Sequence, residues 1–139
     1  MALNLQREFA YTEKPIIPVR LTSDRTSVNT EALLDTGASV SLVDAELEPL
    51  LAIELDSSVE ADILGIGGSV RRIRFSLLEV SVLGAPDDQT WKAEIWVGFV
   101  PGLAKSVGSL LGRNFFEHFD FGLHHHAFPA HRRLYLGKP

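Results

Sequence analysis

Residues 33–39 read Leu33-Leu34-Asp35-Thr36-Gly37-Ala38-Ser39, which places an acidic turn directly after the end of an apolar strand. An aspartate in this position commonly caps its own turn, because the carboxylate accepts hydrogen bonds from backbone N–H groups two or three residues on. Taken alone, Asp35 is therefore explained more simply as a turn residue than as a catalytic carboxylate. Other parts of the chain must decide between the two interpretations.

Two further blocks follow this stretch. Gly65-Ile66-Gly67-Gly68 joins two segments with strand composition, residues 59–64 and 70–83, and predicts a hairpin, since glycine supplies the positive φ of tight turns. A plain turn is the simplest interpretation of this block, and a phosphate-binding loop is disfavoured because no Lys-Ser or Lys-Thr follows. The other block is Leu110-Leu111-Gly112-Arg113-Asn114.

With these three blocks in this order, the chain resembles the retropepsin family of aspartic proteases, which includes the proteases of retroviruses. The resemblance covers about residues 16–136 in pattern, although only the three blocks are specific. It implies an all-β fold: a retropepsin-like closed acid-protease barrel with one short helix and one flap hairpin per subunit. It also implies a homodimer that acts on peptide or protein substrates without a metal or other cofactor.

The resemblance implies a role for each matching position. Thr36 would lock the active-site loops of two subunits together, Gly112 would pack beneath the active-site strand, and Arg113 would brace the loop and the dimer contacts. Many viral members have an acidic residue where this chain has Ser39, so the partner of Arg113 is left open. The full assignment is Asp35 as the catalytic carboxylate, Thr36, Gly37, Ala38 and Ser39 as the active-site loop, Gly65, Ile66, Gly67 and Gly68 as the flap, and Gly112, Arg113 and Asn114 as structural support.

The number of catalytic motifs bears on the assembly. Aspartic protease chemistry needs two carboxylates that share one proton, yet the chain has one Asp-Thr-Gly and no Asp-Ser-Gly. Asp120 has the wrong neighbours for a second motif. A two-fold dimer must then supply the second aspartate, and the monomer should be inert. The alternative is a dimeric peptide-binding or scaffold module of the same fold, which takes an extended peptide by strand addition and cuts weakly or not at all.

The remaining pattern predicts many short strands. Residues 16–21 predict an edge strand, because the flanking Pro15 and Pro18 cannot donate ladder hydrogen bonds. Within residues 70–83 the apolar positions change parity, which predicts a one-residue bulge near Leu77-Leu78. Residues 44–51 predict a short helix with Asp44 as N-cap. Further strands are predicted at residues 30–34, 91–97, 107–111, 119–123 and 132–136, a turn at 85–88 and a helical turn at 114–118.

Composition limits the classes of protein that fit. A chain of 139 residues, 45% hydrophobic and 22% charged, predicts a single domain over residues 1–139 with its core at about 15–137. A formal net charge of −5 argues against nucleic acid as a partner. There is no cysteine, no signal-peptide pattern at the N-terminus, and no run near the roughly 18 apolar residues of a membrane span. These features predict a cytoplasmic protein without a membrane partner.

Histidines and aromatic residues offer weaker signals. His124-His125-His126, together with His118 and His131, could suggest a metal site, but only alternate residues of an extended chain share a face. We therefore expect a polar surface loop and no functional metal. Residues 123–131 form a longer connection than retropepsin-like chains usually have near their terminal dimer sheet. Phe115, Phe116, Phe119 and Phe121 are expected in the core, and Trp96 on a dimer or substrate surface.

Overall fold

Residues 7–54, 58–64, 68–84 and 91–137 are described by the computed structural model, and they are mostly β-strand. Two short α-helices are present in these ranges, where one helix and one helical turn were predicted. The strands are β1 Arg7–Ala10, β2 Ile16–Thr22, β3 Ser27–Leu34, β4 Ser41–Asp44, β5 Ser58–Leu64, β6 Val70–Val82, β7 Lys92–Val100, β8 Ser109–Leu111, β9 Asp120–His124 and β10 Arg133–Gly137; the helices are α1 Leu47–Leu50 and α2 Arg113–Phe116.

Six of the strands close into a barrel. Their order is β2-β3-β8-β4-β7-β6, and β6 returns to pair with β2, while β5 pairs with β6 outside the closed ring. Closure removes the free edges that an open sheet would expose. The predicted retropepsin-like closed barrel is confirmed.

Strand β2 corrects the prediction of an edge strand. It pairs with β3 along Ile16–Thr22 and with β6 along its second half, from Val19 to Thr22. Pro18 lies immediately before the β6 ladder, and its carbonyl accepts a hydrogen bond from Leu83 N–H at 3.0 Å. The backbone N–H that Pro18 lacks therefore falls at the end of the β2–β6 ladder, where its absence is tolerated inside a closed barrel.

Strand β6 has no bulge, so that prediction is wrong. Its pairing with β7 keeps one register from Arg74 opposite Phe99 to Ser81 opposite Lys92. Ile73 and Phe75 are buried in a small cluster with Val100 and Leu103. The later apolar positions, Leu78, Val80 and Val82, are buried in the main core. Neighbouring side chains alternate between the two faces of a strand. The change of parity near Leu77-Leu78 therefore marks the point where the buried side chains of β6 pass from one face of the strand to the other.

The main core fills the barrel and the space beneath it. Phe115 and Phe119 are fully buried and stack with ring centroids 4.6 Å apart, and Trp91 stacks on Phe119 at 6.1 Å. Phe116 and Phe121 are partly buried against the same cluster. The prediction that these four phenylalanines belong to the core is confirmed. They anchor α2, which begins just after the end of β8.

Asp44 was predicted as the N-cap of α1 and is instead the last residue of β4. The N-cap is Glu46, which makes no side-chain capping bond. Asp44 accepts hydrogen bonds from Ala104 N–H at 2.7 Å and from Glu46 N–H at 2.8 Å. These two bonds, the one from Ala104 above all, lower the pKa of the Asp44 carboxyl. Asp44 therefore joins β4 to the 3-10 helix Leu103–Lys105, a contact too distant in the chain to be predicted locally.

The chain ends form a second, three-stranded sheet in the order β1-β10-β9. The C-terminal strand β10 lies in the middle, antiparallel to both neighbours. Residues 125–132 connect β9 to β10 and include a 3-10 turn, Pro129–His131. The predicted turn at 85–88 lies outside the described residues. Among the described helices, none has the length and apolar character needed to cross a membrane.

Candidate active site

Asp35 lies one residue past the end of β3, where β3 and β8 run parallel. Its backbone N–H donates to the carbonyl of Leu111 in β8 at 2.9 Å. Its Oδ1 accepts a hydrogen bond from Gly37 N–H at 2.9 Å, and its carbonyl accepts one from Ala38 N–H at 3.2 Å. Asp35 therefore caps its own turn as the simpler interpretation predicted, while no described residue bonds to Oδ2. The carboxylate is oriented through one oxygen and half-exposed.

The loop around Asp35 is open to the outside. Thr36, Gly37 and Ser39 are exposed. A Cβ added at Gly37 would lie 3.2 Å from Asp35 Oδ1, closer than ordinary van der Waals contact. Glycine therefore keeps space beside the carboxylate. Within the described ranges, the hydroxyls of Thr36 and Ser39 have no hydrogen-bond partner, so both remain available to another molecule.

Gly112 packs directly beneath this loop. A Cβ at this position would lie 2.3 Å from the carbonyl oxygen of Val40 and 2.7 Å from that of Ala38. The backbone of Gly112 has φ −97°, which any residue adopts, so the need for glycine here is one of space. Gly112 thus lies against the backbone of residues 38–40, where a larger side chain has no space.

A buried hydrogen-bond network connects the loop to α2. Ser41 is fully buried, and its Oγ donates to Asn114 Oδ1 at 2.7 Å and accepts from Gly112 N–H at 3.0 Å. Asn114 Nδ2 donates in turn to the carbonyl of Trp96 in β7 at 2.8 Å. Sequence analysis did not single out Ser41. The sequence feature that could have identified Ser41 is a serine within an apolar strand, because a buried hydroxyl needs a hydrogen-bond partner.

Arg113 braces the loop through its backbone. Its N–H donates to the carbonyl of Ala38 at 2.8 Å, whereas its guanidinium is exposed. Across the residues the structure describes, that guanidinium has no ion-pair or hydrogen-bond partner. Among the described residues, the contact of Arg113 with the loop is therefore made by its main chain.

The hairpin of β5 and β6 extends beyond the barrel. Its last observed pair is Leu64 opposite Val70, and both side chains are largely exposed. Gly68, within the connection, has φ +82°, which favours glycine. Gly65, Ile66 and Gly67, which were predicted to form the flap tip, lie outside the described residues.

An apolar recess lies between this hairpin and the barrel. Its volume is about 250 Å³, and it is lined by Val40, Val59, Ala61, Phe75 and Trp96. Trp96 is 43% exposed, while Trp91 on the opposite face of the chain is buried. The recess thus joins Val40, which follows the Asp35 loop, to both strands of the hairpin. A larger cavity of about 370 Å³ at residues 23–25 contains no residue of the Asp35 loop.

The histidine-rich connection packs on the N-terminal segment. His125 Nδ1 and the Tyr11 hydroxyl are 2.8 Å apart, and His126 Nδ1 accepts a hydrogen bond from Phe128 N–H at 3.0 Å. In the part of the chain described here, no group of three or more His, Asp or Glu side chains is arranged to hold a metal ion.

Comparison with known proteins agrees with this geometry. No curated protein sequence matches the chain significantly. A family model described as retroviral aspartyl protease matches residues 11–124, a range that holds the Asp35 loop, the β5–β6 hairpin and Gly112-Arg113-Asn114. On the basis of this match and the closed barrel, the chain belongs to the retroviral aspartyl protease family.

Proposed function

We propose that this protein is an aspartic endopeptidase that hydrolyses peptide bonds as a homodimer, with one Asp35 from each subunit. The observation that carries the proposal is the orientation of Asp35. Gly37 N–H holds Oδ1 at 2.9 Å, and Gly112 and Arg113 hold the loop from below. The turn bond to Oδ1 would also suit a structural aspartate, so the proposal depends on Oδ2, which no described residue bonds and which lies at an exposed loop.

The chemistry follows from two such carboxylates meeting on a two-fold axis. Two like charges about 3 Å apart cannot both ionise, so the pair shares one proton. One Asp35 then acts as the base toward a water molecule, and the other donates its proton to the carbonyl of the scissile bond. Because Gly37 N–H already occupies Oδ1, Oδ2 is the oxygen left to exchange the proton. This mechanism requires no metal or other cofactor.

The surroundings of the loop support an extended peptide as substrate. In this proposal the β5–β6 hairpin closes over the peptide and excludes water, which strengthens the electrostatic interactions inside the site. The recess at Trp96 would take an apolar side chain of the peptide, since all five of its lining residues are apolar. Cleavage sites should then be enriched in apolar residues at one subsite, and replacing Trp96 with alanine should weaken that enrichment.

The decisive experiment replaces Asp35 with asparagine. Asparagine keeps an acceptor for Gly37 N–H, so the loop and the dimer should persist, but it cannot act as the base. Cleavage of a peptide library between about pH 4 and 7 should fall by about a thousandfold, within the range of general acid–base effects, and a pepstatin-like inhibitor should block the wild type. Asp24→Asn, at an exposed aspartate outside the loop, is the matched control.

Two results would decide against the proposal. Undiminished turnover by the Asp35→Asn variant would exclude Asp35 as the catalytic group. A wild-type dimer that binds extended peptides but releases no products would support the alternative, a peptide-binding or scaffold module on the same fold.

A further inference from the structure

Strand β6 has a gap between its partner strands along one edge. Its ladder with β5 ends at Ser76, and its ladder with β2 begins at Glu79. Within the described ranges, residues 77 and 78 pair only with β7, on the other edge. Successive residues of a strand direct their N–H and C=O groups to opposite edges. One of these two residues therefore has its backbone donor and acceptor directed into the gap.

This gap lies at a cavity of about 370 Å³, which residues 76–78 line. The volume is within the range of small-molecule sites. Two other walls are residues 23–25, which follow β2, and residues 52–54, which follow α1. Ser23 Oγ donates to the carbonyl of Leu51 at 2.6 Å, and Arg25 forms an ion pair with Glu54. These contacts hold the two walls against each other.

Ser76 adds a polar group to the lining of the cavity. The residue is 3% exposed, and its hydroxyl makes no hydrogen bond with the described residues. A buried hydroxyl without a partner costs free energy, which a bound polar group would recover. Together with the backbone of the gap, Ser76 predicts a ligand with hydrogen-bond donors and acceptors, such as an amide.

An apolar pair lies beside the gap. Leu77 is directly opposite Trp96 on β7, and both residues line the cavity. They are 44% and 43% exposed, although both have large apolar side chains. Such a pair offers contact area to an aromatic or large aliphatic group of a ligand.

The next pair on the same face of β6 and β7 is acidic. Glu79 lies opposite Glu94. Glu94 lines the cavity, and both glutamates line a recess of about 190 Å³ that shares Leu77 with it. Like charges in directly opposed positions destabilise a sheet, and neither carboxylate forms an ion pair with a described residue. A cation beside them would relieve the repulsion, so the site predicts a positive group next to an apolar one.

We propose that this cavity binds the amino-terminal residue of a peptide whose first side chain is aromatic or large and aliphatic. The α-ammonium lies beside Glu79 and Glu94, the side chain contacts Leu77 and Trp96, and the main-chain amide bonds in the gap of β6. Hydrolysis of a peptide bond creates a new α-ammonium, so peptides of this class include the products of a protease that cuts before an apolar residue. That origin of the ligand rests on the proposed function, whereas the binding does not.

Trp96 connects the cavity to the candidate active site. It also lines the apolar recess that includes Val40, and its carbonyl accepts the 2.8 Å hydrogen bond from Asn114 Nδ2. The cavity and the recess therefore share one residue, which the network beneath the Asp35 loop holds. Because both ligands contact Trp96, occupancy of the cavity changes the affinity of the recess for a substrate side chain.

NMR titration of the wild-type protein with L-phenylalanine amide tests the binding. The dissociation constant should be no weaker than about 1 mM. Two matched probes should bind at least about tenfold more weakly: N-acetyl-L-phenylalanine amide lacks the charge, and L-alanine amide lacks the ring. Glu94→Gln should remove the preference for the charged probe. Glu117→Gln, at an exposed glutamate outside the cavity, is the control and should keep it.

A second variant separates loss of the site from loss of the fold. Glu94→Lys places a positive charge opposite Glu79, so its urea midpoint should equal or exceed that of the wild type while phenylalanine amide no longer binds. Equal affinities for the three probes would overturn the proposal. Unchanged binding by the two Glu94 variants would do so as well.

A kinetic measurement tests the connection through Trp96. Saturating phenylalanine amide should change the KM of a cleaved peptide by about fivefold or more in the wild type and not in the Glu94→Gln variant. Competition at the active site itself would affect both proteins equally and would reject the connection. A chain that binds the probe and cleaves no peptide would reject the protease and leave the cavity site standing. A protease that does not bind the probe would do the reverse.

Discussion

Replacing Gly112 with alanine would place a methyl group against the backbone of the loop that contains Asp35. The new Cβ would lie 2.3 Å from the carbonyl oxygen of Val40 and 2.7 Å from that of Ala38. Both atoms belong to the main chain, so neither can rotate away as the end of a flexible side chain could. Because Gly112 has φ −97°, alanine would meet no conformational strain, and the whole effect measures packing.

The magnitude follows from the contacts that would be disturbed. Overpacking in a tight site costs about 1–3 kcal/mol. The shift would also weaken the bonds from Gly112 N–H to Ser41 and from Arg113 N–H to Ala38, each worth about 1 kcal/mol. We therefore expect the free energy of unfolding to fall by about 3–5 kcal/mol. With a urea m-value of about 2 kcal/mol/M, the midpoint should fall by about 1.5–2.5 M.

The assay is urea unfolding at one fixed protein concentration, since dimerisation adds to the apparent stability. Gly102→Ala is the control: its Cβ would meet nothing within 4 Å, but its φ of +78° should cost about 1 kcal/mol. If the Gly112→Ala midpoint stayed within about 0.5 M of the wild type, or if the control fell equally far, the packing argument would be refuted.

Two further predictions concern buried hydrogen bonds, both measured by urea unfolding. Ser41→Ala leaves Asn114 Oδ1 and Gly112 N–H without their partner and should cost about 2–3 kcal/mol, whereas Ser39→Ala at an exposed site should change stability by less than about 0.5 kcal/mol; equal effects would contradict the network. Asp44→Asn should destabilise most near neutral pH. The folded state lowers the pKa of Asp44, so its contribution is complete above the ordinary value of 3.8 and is lost as pH falls through the folded-state pKa. A stability difference from wild type that does not shrink at low pH would refute this.

The sequence predicted the fold and the place of the site through features that are local in the chain. The loop at Asp35, the β5–β6 hairpin and the Gly112 corner each have a short signature, and the structure brings the first and third into contact. The roles of the individual residues at the flap and in catalysis stay predictions, as does the cytoplasmic location. The family match covers the region that contains all three blocks.

Two of the errors, at β2 and at Asp44, arose where a residue's partner is distant in the chain. Pro18 indicated an edge strand, because composition cannot show that the second half of β2 closes the barrel against β6. Asp44 has the composition of a helix cap, yet it bonds to Ala104, sixty positions further on. The partner of Arg113 was left open, and in the structure its backbone N–H contacts the carbonyl of Ala38. In each case the residue type indicated a structural role, but the local sequence did not show which residue it would contact.

The unbroken register of β6 limits how this hairpin can be remodelled. Ile73 and Phe75 face one cluster, and Leu78, Val80 and Val82 face the main core on the other side of the strand. Inserting one residue between these groups would turn one of them out of its core, since side chains alternate with a period of two. A redesign that lengthens or shortens the β5–β6 hairpin must therefore add or remove residues in pairs on each strand. Because two residues of a strand span about 6–7 Å, the length of the hairpin can change only in steps of that size.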